Sequence, residues 1–244
     1  MAITVIGSVE LENSDAKGVD GSLTVGSVAV DALTDGMGVV TVGIASGSTF
    51  VISGVTWNGV SMTRAVEAIH SASDLVTEMW YVLESDGTID DGTYDIVITF
   101  SSPAGTAGNS TRVGVEWFSG VDQTAPLDDI SEYDNQTSAT VNDVVVTPSE
   151  GGEFCAAVTV NKANGITSVS DSAFGGTLAT TSWDSGGNGC CTNYDIPVGS
   201  GDKTLTHTYT QTQPWCGCGA TFKEAGGAAP STDNSVLKMM GMGD

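Results

Sequence analysis

Positive charge is the scarcest thing in this chain. Its 244 residues hold 30 aspartates and glutamates against seven lysines and arginines, a formal net charge of −23. The seven bases (Lys17, Arg64, Arg112, Lys162, Lys203, Lys223 and Lys238) form no run. A phosphate backbone therefore meets net repulsion and no docking stripe, which excludes nucleic acid as a partner. An anionic membrane surface is disfavoured for the same reason. Long apolar runs are missing too: nothing approaches the roughly 20 residues of a membrane-spanning helix. The opening MAITVIGSVELENS has neither the basic start nor the apolar middle of a secretory signal, so synthesis in a cytoplasm is expected. Five cysteines, an odd number, cannot form a complete intramolecular set of disulfides, and reduced thiols are expected. Helix signals are nearly absent. AVEAIHSASDLV (Ala65 to Val76) holds one turn at most.

What the chain has is strand pattern and turn chemistry. In TRVGVEWFSGVDQ (Thr111 to Gln123), Val113, Val115 and Trp117 alternate with Arg112, Gly114 and Glu116, the period-2 signature of a strand packed on one face. A related segment, PWCGCGATFKEA (Pro214 to Ala225), closes the second half. Leu23 to Ile44 aligns without a gap on Ala139 to Val160, matching Thr24 with Thr140, Val28 with Val144, Val30 with Val146, Gly36 with Gly152 and Val42 with Val158. Asn58-Gly59 marks a tight hairpin, and Gly175-Gly176 holds the matching place. Tyr81 falls on Tyr194. Ile96, Ile98 and Phe100 fall on Leu205, His207 and Tyr209, and Val113 and Val115 fall on Cys216 and Cys218. Five segments matched in one order point to duplication. The expected fold is all-β: two pseudo-repeated antiparallel β-sandwich units, jelly-roll or Ig-like, with extended N- and C-terminal arms. The expected organisation is an N-terminal arm (1–22), a first unit (23–123), an acidic connector (124–138), a second unit (139–225) and a C-terminal tail (226–244).

Each residue type able to do chemistry has an ordinary structural reading beside the functional one. Cys216-Gly-Cys218 lacks the spacing and histidine partners of a zinc site, and both thiols belong on one inward strand face. Cys190-Cys191 leaves a vicinal disulfide or a link between subunits open, but burial favours a structural role. His207 stands where the first half has Ile98, as an interior imidazole. No G-x-S-x-G elbow accompanies either histidine. Asp86, Asp90 and Asp91 lack EF-hand spacing and read as turn formers. A glycosidase-like carboxylate pair is unreadable from sequence because acids are so abundant. Trp57, Trp80 and Trp215 are expected in the core, whereas Trp183, in SWDSGGNG, is the candidate ligand contact. No catalytic, cofactor or metal residue is assigned. The tail places Val236, Leu237, Met239, Met240 and Met242 after a Gly, Ala, Pro and Ser-rich spacer, an expected assembly clip.

The succession VTWNGVSMTR, MWYVLESDGT, YDIVITF, VEWFSGVDQTAPLD and PWCGCGATFKEA resembles a diffuse family of β-sandwich proteins. Its members occur among virion and tail-associated proteins of bacteriophages and among bacterial surface proteins. The resemblance spans most of Gly38 to Ala225 and carries no catalytic residues. It implies a non-enzymatic virion structural protein, an outer capsid decoration or tail component, whose partners are other virion proteins and copies of itself. The alternative is a carbohydrate-binding or adhesin module, with surface glycans as ligand.

Overall fold

The computed structural model describes residues 2–13, 21–45, 52–87, 89, 91–101, 110–162, 166–171 and 189–226. Fourteen strands are named among them: β1 (Thr4–Asn13), β2 (Ser22–Val30), β3 (Met37–Ala45), β4 (Ile52–Trp57), β5 (Val60–Ser61), β6 (Thr63–His70), β7 (Leu75–Leu83), β8 (Gly92–Phe100), β9 (Ser110–Ser119), β10 (Leu127–Val146), β11 (Glu153–Asn161), β12 (Ile166–Asp171), β13 (Gly189–Val198) and β14 (Lys203–Phe222). One 3-10 turn, Glu84–Asp86, is the only helical element among the described residues. The protein is all-β, and its strand pairs are antiparallel.

The first sheet runs β1-β9-β3-β7-β6, the second β2-β8-β4-β5, and the third β10-β14-β11-β13 with β12 also on β14. Residue size and alternation decide how they stack. β3 is a nearly unbroken apolar run, MGVVTVGIA, buried at every position, which suits a strand covered on both faces. Val40, Val42 and Ile44 pack with Trp57, Ile96 and Ile98 of the second sheet. On the opposite face Met37, Val39 and Ala45 pack with Phe154, Ala156 and Val158 of the third. The first sheet is thus a middle layer. A third core holds Val144, Val146, Leu205, Cys155, Ala157 and Trp215. At about 1.5–3 kcal/mol for each large apolar side chain taken from water, these cores carry most of the folding drive.

The long strands β10 and β14 each serve two layers. Leu127 to Tyr133 pair with residues 217–222, whereas Val141 to Val146 pair with residues 203–208, and the register breaks between. Such bends let a strand change layers at a corner. Asn135, at a φ of 45°, sits within the break. The chain is tied across the bend: the Ser131 hydroxyl donates to the Val145 carbonyl, and Val145 N donates to the Tyr133 hydroxyl at 2.9 Å. The pairing order β9-β3-β7 in the first half recurs in the second as residues 215–222 of β14, then β11, then β13. The order β2-β8-β4 recurs as residues 141–146 of β10, residues 203–208 of β14, then β12.

Several expectations need correction. The segment expected as an N-terminal arm supplies β1, which pairs with β9 and so satisfies an edge that would otherwise be open. The expected acidic connector is the first part of β10; its acids sit on a half-exposed strand and cap backbone, Asp129 accepting from Thr147 N and Asp128 from Ser149 N, both at 2.7 Å. The expected helical turn in Ala65 to Val76 is strand β6, a tight turn and the start of β7. The Asn58-Gly59 hairpin forms as expected, with φ of 49° and 78°, both left-handed.

The register of the last strand also differs. Val113 and Val115 face the core shared with the second sheet, whereas Cys216 and Cys218 face the first sheet across the seam between halves. On β14 it is Gly217 and Gly219 that face Val144 and Val146; a Cβ on Gly219 would stand 2.7 Å from Val146. A slip of one residue reverses every side chain. Apolar residues line both faces here, so matching valine to cysteine by hydropathy alone chose the wrong one.

Candidate functional site

The named tail residues Val236, Leu237, Met239, Met240 and Met242 lie outside the described residues, as do Trp183, Asp90 and the Gly175-Gly176 turn. Trp57, Trp80 and Trp215 are buried in cores, as expected. Cys155, Cys190, Cys216 and Cys218 are free thiols and buried. Burial pushes Cys190 and Cys216 up to about 12 and Cys218 well above the ordinary thiol range. Cys190 and Cys216 both lie opposite Val160, on strands flanking it. Two sheet spacings of about 4.8 Å separate them, beyond the reach of a disulfide. His207 is fully buried, and desolvation lowers it to about 3, so the ring is neutral. Its Nδ1 shares a hydrogen bond with the Thr159 hydroxyl, which also meets the Tyr209 hydroxyl at 2.9 Å. Asp86, expected as a turn former, accepts from Leu83 N at 3.2 Å and closes the 3-10 turn. Among the described residues no His, Cys, Asp and Glu cluster has the geometry to hold a metal ion, and no helix is long and apolar enough to cross a membrane.

The SGVDQT run is a structural clip. Gln123 accepts from Ser85 N at 3.1 Å and donates to the carbonyls of Gly36 and Val121, both at 3.0 Å. It lines a cleft of about 410 Å³ with Thr34, Asp35 and Glu84. Asp122 accepts from the Thr124 and Ala125 amides and the Thr124 hydroxyl, which holds its carboxyl below the usual range.

The most unusual chemistry is a carboxyl group that the sequence reading passed over. Glu78 lies mid-strand in β7, beside Val42 of β3 and Glu67 of β6, with its side chain wholly buried. Its Oε2 accepts from Trp80 Nε1 at 2.7 Å. The Arg64 guanidinium stands 3.9 Å from Glu78 Oε1 and 3.1 Å from Glu67 Oε1, and 5.8 Å above the Trp80 ring. Burial, then the neighbouring Glu67, push the Glu78 carboxyl up to about 8, against the pull of Trp80 and Arg64. At neutral pH burial keeps Glu78 protonated, and its Oε1 has no hydrogen-bond partner. Glu78 is thus a buried acid that keeps its proton. A signal for it was present: a glutamate inside the otherwise apolar run of LVTEMWYVL.

Alongside runs a polar cleft of about 310 Å³, lined by Arg64, Glu67 and Ile69 of β6 and by Glu132 and Asp134 of β10. Asp134 accepts from Ile69 N at 2.6 Å, and Asn135 from Ser71 N at 3.0 Å. These contacts join the two halves along the open edge of β6. No protein-family model matches the chain, and no curated protein is significantly similar to it.

Proposed function

We propose that the chain is a non-catalytic structural protein: an outer capsid decoration or tail-associated component of a bacteriophage virion. It is built from two copies of one jelly-roll or Ig-like sandwich unit and held in an ordered assembly with other virion proteins and copies of itself. The observation that carries a structural rather than catalytic role is the location of its reactive groups. The four described thiols and His207 sit in cores, burial holds Cys190, Cys216, Cys218 and His207 in their neutral forms, and nucleophiles and ligands need the opposite.

Reciprocal contacts support the duplication. Tyr81 pairs with Val39, which pairs with Glu116, two residues before Phe118. Tyr194 pairs with Ala156, which pairs with Ala220, two residues before Phe222. The two tyrosines are thus equivalent, and so are the two phenylalanines. Each tyrosine meets the other half's phenylalanine edge-on, Tyr81 on Phe222 at 5.6 Å and Tyr194 on Phe118 at 5.8 Å. That exchange is the hallmark of an isologous interface, here within one chain.

Immunogold labelling of phage particles from cells that express the chain tests the reading. Gold on the particle surface is the expected result. Gold confined to the cell envelope overturns it in favour of an adhesin. Deleting Val236 to Asp244 is expected to abolish incorporation while the far-ultraviolet circular dichroism stays that of a β protein. Normal incorporation of the shortened chain would remove the tail from the assembly role.

A further inference from the structure

Strand β6 ends the first sheet, paired to β7 on one side only. Its other edge is held by side chains rather than by a strand: Asp134 on Ile69 N, and Asn135 on Ser71 N and on the Ser71 hydroxyl at 3.2 Å. Both caps come from the bend of β10, in the second half of the chain. β6 itself carries Glu67, beside the buried Glu78 of β7, and Arg64, bonded to the first and near the second. In front, Glu132 and Asp134 line the same cleft. The facing strands β4 (ISGVTW) and β5 (VS) bring no ionisable side chain, and β3 brings Val42. β14, packed on the other face, brings the buried thiols of Cys216 and Cys218, and Lys162 Nζ donates to the Ser73 carbonyl at 3.2 Å past the end of β6.

We propose that this arrangement is a proton-operated latch, in which a proton held on the buried Glu78 keeps β6 closed against the second half and its loss releases the strand edge. The inference is independent of the virion reading. With Glu78 protonated, Arg64 is bonded to Glu67 and Glu78 adds no charge. With the proton gone, Glu78 adds a negative charge beside Glu67, Glu132 and Asp134, in a dry core where an unpaired carboxylate is costly. Release lets Glu78 reach water and ionise there.

The sign follows from where the proton is held more tightly. The closed strand keeps it up to a pH of about 8, whereas a solvated glutamate loses it near 4.3. Closure is therefore complete at acid pH and is lost as pH rises towards 8, above which both forms are ionised and the dependence ends. Opening should become up to about tenfold more favourable per pH unit within that window.

Amide hydrogen exchange on the full chain from pH 5 to 9, corrected for the intrinsic rate, reads this directly. The protection of the Ile69 and Ser71 amides is expected to fall by roughly 100-fold between pH 5.5 and 7.5 and then to level off above pH 8. In Glu78→Gln, Ile69 and Ser71 should be flat across the range. An equal fall in Glu78→Gln, or no fall in the unmodified protein, overturns the latch. Should that variant not fold, side-chain carboxyl titration of the unmodified protein decides: a Glu78 midpoint at the pH where the Ile69 and Ser71 protection levels off upholds the proposal, and a midpoint below 6 refutes it.

Discussion

At the scale of single residues, this protein protects groups that would otherwise react. A thiol is nucleophilic only as its thiolate, and burial in apolar layers raises the cost of that charge. Cys216 and Cys218 lie in the seam between halves beside Phe222 and Ala220, and Cys155 packs with Ala157 and Val146. The expected outcome of adding a maleimide to the native protein is slow labelling of Cys155, Cys190, Cys216 and Cys218, completed only when urea unfolds the chain; mass spectrometry of the digest checks it. Rapid native labelling of any one of the four would show that its layer opens. His207 follows the same logic with the opposite charge, its ring kept neutral by burial.

At the scale of elements, register decides which core a side chain joins. Gly217 and Gly219 of β14 lie close to Thr159, Val144 and Val146, leaving no volume for a larger residue. Gly219→Val is expected to lower stability by about 1–3 kcal/mol through overpacking, measured as a drop in the urea midpoint at unchanged slope. A neutral result would mean that Gly219 faces away from Val146 and that the register is the one read from the valine-to-cysteine alignment. Strand existence was legible in the sequence wherever apolar runs met Asn-Gly or Asp-Gly turns, as at Asn58-Gly59. Register was not, because β3, β9 and β14 are covered on both faces and alternation then loses its contrast. The strand nature of Leu127 to Ser138 was hidden for the opposite reason: a half-exposed strand can carry Asp128, Asp129, Glu132 and Asp134, so its composition reads as loop. Glu78 was masked by the thirty acids around it in the count, although a glutamate between Thr77 and Met79 in a buried run was unusual enough to be found.

At the scale of the whole molecule, the proposed duplication rests on the contacts by which the first and third sheets face one another. The seam holds Phe118 and Phe154 with ring centroids 4.1 Å apart, and Phe154 stacks on Phe222 at 5.7 Å. Its two outer contacts, Tyr81 with Phe222 and Tyr194 with Phe118, exchange partners between the halves. Edge-on aromatic pairs contribute about 0.5–1.5 kcal/mol beyond the area they bury, enough to resolve by double-mutant cycles. Two cycles on the full chain, Tyr81→Leu with Phe222→Leu and Tyr194→Leu with Phe118→Leu, measure this central claim most directly. The account predicts a coupling of about 1 kcal/mol in each cycle and the same value in both within roughly 0.5 kcal/mol. Additive losses in both cycles, with no coupling, would contradict it, because the two halves would then not meet through these faces.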